Sequence, residues 1–89
     1  MWVLNNNPNF LFYECFPELV VYNQVTRETS LLCVTLSTIY QIFKESHGRK
    51  LTQKNVIDAL ASQYNFEVDD ATAKINLEAL EKISLIELV

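Results

Sequence analysis

The chain has 89 residues, 49% hydrophobic and 20% charged, with one glycine and two prolines; this suits one domain over residues 1–89, is too short for two separate cores, and is unlike a disordered chain. Seven Lys and Arg against eleven Asp and Glu leave a formal net charge of −4, which argues against nucleic acid, because phosphate binding rests on clustered cations that release counterions. No apolar run reaches the roughly 18 residues of a membrane span, and residues 1–9 (MWVLNNNPN) lack the basic start and apolar centre of a signal peptide, so a cytoplasmic location and no membrane partner are expected.

The breaker cluster NNNP at residues 5–8 makes residues 2–4 either a loose lead-in or a short edge piece. The first firm element is residues 10–16 (FLFYECF), which alternates Phe10, Phe12 and Phe16 with Leu11, Tyr13 and Cys15 and carries the aromatic residues that suit a strand. Pro17 and Glu18 break this run, and residues 19–22 (LVVY) form a second strand. After a polar turn over residues 23–28 (NQVTRE), residues 29–34 (TSLLCV) complete a three-stranded antiparallel meander. In it Leu31 and Cys33 share one face, and Ser30, Leu32 and Val34 the other. A small sheet with apolar groups on both faces is either covered by helices or keeps one surface for a partner.

Three helices follow. Thr35 is the expected cap of the first, with Leu36, Ile39, Tyr40 and Phe43 on one face and Gly48 past its end. His47, the single histidine, reads as a surface residue favoured by the partial negative charge of the helix terminus. Leu51 and Thr52 introduce the second helix, whose stripe is Val56, Ile57, Leu60, Ala61 and Tyr64 and which ends at Asn65. Asp69 and Asp70 start the third, which runs to about Ser84 before a short terminal extension, LIELV. The expected fold class is α+β, in the order β-β-β-α-α-α.

The third helix carries two apolar stripes. At 100° per residue Ala73, Leu77 and Leu80 fall in one arc, while Ile75 and Ala79 lie nearly opposite and Ile83 at their margin. The second stripe either packs on the terminal segment or, if this helix lies beside the third strand, lines a channel along an open sheet edge, where a peptide adds as a strand. No motif points to catalysis: the sequence has no Gly-rich phosphate loop, no nucleophile beside a histidine and no cluster at metal-ligand spacing. Neither a cofactor nor a metal is therefore expected. Cys15 and Cys33 lack CxxC spacing and read as buried free thiols.

The strand ending LVVYN, the turn TRET, the strand SLL leading into a helix, the segment LTQKNVIDALASQYN and the closing LEALEKISLIEL together resemble the PqqD-like proteins. These are small peptide chaperones of pyrroloquinoline quinone biosynthesis and related peptide-modification systems, and the branch associated with HPr-related kinase clusters is the most similar. The resemblance runs from Trp2 to Leu88, with Arg27 where Gly is common in such hairpins and Ser30 where His often precedes the paired leucines.

It implies a winged-helix-like recognition element for ribosomally made, post-translationally modified peptides, in which the leader of a precursor peptide adds to the third strand in a groove shared with the third helix. Carried onto this chain, the peptide-binding residues are Thr29, Ser30, Leu31, Leu32 and Cys33 on the strand and Ile75, Asn76, Ala79 and Ile83 on the helix. The implied partners are that leader peptide and a modifying enzyme, either a radical iron–sulfur enzyme or a kinase-like protein, with the chain itself a monomer or weak dimer. Two other functions fit the same pattern of elements: a winged-helix DNA-binding regulator and a dimerisation or adaptor subunit. Five acidic residues against Lys74 and Lys82 over residues 69–87 weigh against the first.

Overall fold

A computed structural model describes residues 1–5, 8–15 and 17–89; Phe16, and Asn6 and Asn7 of the breaker cluster, lie outside the described residues. Three antiparallel strands are followed by three helices, as the hydrophobic pattern requires. Strand β1 (Trp2–Leu4) precedes the meander β2 (Phe10–Cys15), β3 (Glu18–Asn23) and β4 (Glu28–Leu32). Helices α1 (Val34–Glu45), α2 (Gln53–Tyr64) and α3 (Asp70–Lys82) come next, and β5 (Ile86–Leu88) closes the chain.

The termini depart from expectation. Residues 2–4 are neither loose nor paired with the meander, and the closing LIELV is no mere extension: β1 and β5 form a separate antiparallel pair in the register Trp2 to Leu88 and Leu4 to Ile86. Trp2 also exchanges backbone hydrogen bonds with Leu51, each 2.7 Å. The physical reason is burial, since Trp2, Leu85 and Ile86 all enter the core, and their backbone groups need partners once water is excluded.

The meander has the order β2-β3-β4, with Phe12 opposite Val21 and Val21 opposite Ser30. Its β3–β4 turn is held by Asn23, whose Oδ1 accepts from the amides of Val25 (2.9 Å) and Thr26 (3.3 Å), the local bonding for which Asn is favoured in turns. Helix α1 lies at the centre and touches β1, β3, β4, α2 and α3. Ile39 and Phe43 are fully buried on it, and Ile42 joins them beside the expected Tyr40. Its N-cap is Cys33 rather than Thr35, without a side-chain hydrogen bond. The chain leaves β4 early, so Val34 is the first helical residue instead of the last of the strand.

Helix α2 follows the expected start and stop. Thr52 and Asn55 form a reciprocal capping box, and Asn65 ends the helix in the left-handed conformation. Val56 and Leu60 are its buried residues, while Ala61 is exposed and Ala59 packs on the core in its place. Helix α3 starts at an Asp69 cap and packs on α1, α2 and β5. Ala73, Leu77 and Leu80 are its buried face. The chain's radius of gyration is 12.3 Å, close to the roughly 12 Å of a chain this long folded around one core. Both cysteines are free, as expected, but exposed rather than buried: Cys15 closes the edge strand β2 and Cys33 sits at the α1 N-terminus.

Candidate functional site

Strand β4 is hydrogen-bonded to β3 on one side and stands at the margin of its sheet. Alternate residues of such a strand direct N–H and C=O groups away from the sheet, where an added strand finds them. The side chains alternate as sharply. Leu32 points inward and is 1% exposed, whereas Leu31 is 62% exposed on the face away from the helices, with Thr29 beside it. Ser30 faces inward, half-buried, across from Val21. Of the strand residues expected to touch a peptide, Leu32 therefore offers its backbone alone, its side chain being part of the core.

On α3 the second stripe exists, but its members differ in setting. Ile75 is 68% exposed. Asn76 is half-buried and donates its side-chain amide to the Thr72 carbonyl at 2.8 Å, and Ala79 is half-buried below it. Ile83, the C-terminal cap, packs partly on the core. The end of the helix is what reaches the sheet: Lys82, Ile83 and Ser84 share a 200 Å3 cavity with Phe10, Val21 and Ser30, and Glu28 lies at its rim. Ser30 and Ile83 are thus brought together. Ile75 stands about 12 Å further along the helix axis, eight residues at 1.5 Å each. The contributions of Phe10 and Val21 follow from the inward alternation of their strands; that of Ser84 depends on how α3 turns into β5.

Helix α3 stops in a Schellman arrangement. The Ser84 amide donates to Glu81 (2.9 Å) and the Leu85 amide to Leu80 (3.0 Å), with Ser84 at φ +67° and the apolar pair Leu80 and Leu85 buried beneath. This turn fixes where Ile83 sits at the cavity. At the other end of the helix Asp69 accepts from the Thr72 amide at 2.7 Å. Hydrogen bonds from Thr72, side chain first and backbone second, hold its carboxyl below the usual range.

A larger cavity of 470 Å3 opens between β2 and α1, toward the β2–β3 turn, and no sequence pattern announces it. Phe12 stacks on Tyr40 there, with ring centroids 5.2 Å apart and planes 19° from parallel. Tyr64 and Phe66 close its far wall. Burial raises the Tyr40 phenol above its ordinary value. The Tyr64 phenol is raised by burial first and then by its 3.1 Å hydrogen bond to Glu45. Phe12 and Tyr40 were each legible as apolar positions, but their meeting is tertiary.

Among the described residues, no group of three or more His, Cys, Asp or Glu is placed to hold a metal ion, and no helix is long and apolar enough to cross a membrane.

This arrangement of a meander and three helices is shared with a solved structure, TbiB1 in complex with the TbiA(beta) leader peptide. The match has a TM-score of 0.69 at 19% identity and covers 98% of this chain and 96% of that one. At that identity the likeness establishes the fold. No protein-family model matches the chain, and no curated protein matches it in sequence.

Proposed function

We propose that this chain is a non-catalytic peptide-binding module of the PqqD-like kind, which takes the leader segment of a ribosomally made precursor peptide as an added strand on β4 and presents it to a modifying enzyme. The observation that carries the reading is the open β4 edge beside the end of α3, in a fold shared with a protein solved with a leader peptide bound. Backbone groups of β4 supply hydrogen bonds worth about 1 kcal/mol net each, tolerant of sequence. Specificity comes from side chains set against Ser30, Ile83 and the stripe of Ile75, Asn76 and Ala79, with Thr29, Leu31 and Cys33 flanking the added strand on its outer side. Catalysis belongs to the partner, a radical iron–sulfur or kinase-like enzyme, for which the module raises the local concentration of substrate. The setting is the cytoplasm, and the module acts as a monomer or weak dimer.

The test is an NMR titration of the labelled chain with leader peptides encoded near its gene. Amide shifts confined to residues 28–33 and 75–84 are expected. No shift with any leader overturns the reading, and shifts then produced by duplex DNA on the helices favour the regulator.

A further inference from the structure

The sheet has a second open margin. Among the described residues, strand β2 is bonded to β3 alone, and five of its six residues are exposed. Three of these are consecutive and large: Leu11, Phe12 and Tyr13, at 37%, 40% and 56% exposure. Edge strands in soluble proteins are ordinarily blunted by lysine, proline, a bulge or an inward-pointing charge, and here only the last is present, in Glu14. The segment FLFYEC has neither lysine nor proline and pairs with β3 residue for residue, without a bulge. Such an edge is open to an added strand.

The groove beneath it says what kind of segment. The 470 Å3 cavity between β2 and α1 lies in the range that accepts large side chains, and its floor is the stacked pair of Phe12 and Tyr40. Glu14 and Glu18 stand on its strand side, and Lys44 on its helix side. Glu14 lies near the end of the edge strand and Glu18 opens β3 beside it, so both carboxylates stand at the β2–β3 turn end of the groove, and the cation lies across it on α1. A second copy of this chain, paired edge to edge, would bring a second set of these carboxylates to that margin. A basic segment would meet them with opposite charge.

We propose that the β2 edge and this groove form a second docking site, which takes an extended, basic segment of a partner protein and seats one of its aromatic side chains on Phe12 and Tyr40. The site lies across β3 from β4, two strand spacings or about 10 Å away, so both edges are open to occupation together. Its chemistry does not depend on what β4 binds.

The probe is a short blocked peptide that alternates lysine with valine and tryptophan, with a control carrying glutamate for each lysine. In NMR titrations of the full chain the lysine peptide shifts residues 10–15 and 34–44, and the glutamate control does not. Phe12→Ala weakens binding about tenfold or more. The double variant Glu14→Lys, Glu18→Lys, at two exposed positions, does the same while leaving the circular dichroism spectrum unchanged. Leader peptides, read at residues 28–33, bind both variants as before, so failure at one edge is separable from failure at the other. Absence of shifts at millimolar peptide, equal shifts from the control, or shifts confined to β4 and α3 overturn the proposal. So does a concentration series in the ultracentrifuge in which the chain covers this edge with its own copy.

Discussion

Leu31 and Leu32 are neighbours in sequence and opposites in exposure, 62% against 1%. The two-residue period of β4 sends Leu32 into the core, across from Leu19, and leaves Leu31 on the solvent face across from Val20. Leu32→Ala is expected to cost about 2–5 kcal/mol, a large share of the roughly 5–15 kcal/mol available to a domain. Leu31→Ala stays within about 0.5 kcal/mol of the parent. Urea denaturation of both variants checks the assignment, and equal midpoints would show the strand register to be wrong. It follows that Leu31, not Leu32, is the residue to substitute when peptide binding is measured.

Ile75→Glu tests how far the site extends along α3. The side chain is exposed, so the variant is expected to keep its melting temperature within a few degrees. If a bound leader covers this stripe, loss of an apolar contact worth about 1.5–3 kcal/mol weakens binding by roughly tenfold or more. Unchanged affinity in isothermal titration would confine the site to β4 and the end of the helix at Ile83.

The three-stranded meander, the three helices and the two stripes of α3 were legible because each is a local periodicity: alternation in FLFYEC and TSLL, and a helical repeat in Ala73, Leu77 and Leu80. Asn65 and Asp69 were legible because their capping chemistry is local too. The β1–β5 pair was not, since each strand has three residues and a partner more than eighty positions away, and nothing in WVL or IEL identifies the other. The candidate site divides in the same way. Ile83 followed from the helical repeat of α3, but its pairing with Ser30 came from the family resemblance, whereas the meeting of Phe12 with Tyr40, and the exposure of Cys15 and Cys33, depend on how β2 overhangs α1 and where β4 ends.

Trp2→Ala tests the terminal sheet. Trp2 is 8% exposed and belongs to the same apolar cluster as Phe43 and Leu80, and its backbone ties β1 to Leu51. A loss of about 3–5 kcal/mol is expected, together with faster hydrogen exchange at Val89, whose amide donates to Met1 at 2.8 Å. A stability loss below about 1 kcal/mol would mean that β1 and β5 are held independently of the tryptophan.

Among the described residues, four other than glycine carry a left-handed backbone, Arg27, His47, Asn65 and Ser84, and the largest angles are φ +61° at Arg27 in the β3–β4 turn and φ +67° at Ser84 after α3. The left-handed conformation costs a residue with a Cβ roughly 1–2 kcal/mol. Glycine returns roughly 0.5–1 kcal/mol of that through the freedom of its unfolded chain. Arg27→Gly and Ser84→Gly are each expected to gain about 0.5–1 kcal/mol, seen as a rise of a few degrees in melting temperature. Asn65→Gly, at φ +52°, is the control and gains less, because asparagine tolerates this conformation. A fall in melting temperature at Arg27→Gly would show that the arginine side chain contributes more than its backbone costs.

The Asp69 cap gives stability a pH dependence of known sign. Its carboxyl is lowered in the folded chain, chiefly by hydrogen bonds from Thr72, so the folded state binds a proton less readily than the unfolded one. The contribution is complete above the unfolded carboxylate value and is lost as pH falls through the lowered one. Asp69→Ala is therefore expected to melt below the parent near neutral pH, with the gap narrowing in acid. Asp69→Asn, which keeps an accepting oxygen but no charge, falls between the two and its offset from Asp69→Ala changes little with pH. Thermal melts of the three proteins at about pH 7 and about pH 2 decide it; a gap between parent and Asp69→Ala that is the same at both values would mean that the negative charge adds nothing to this cap.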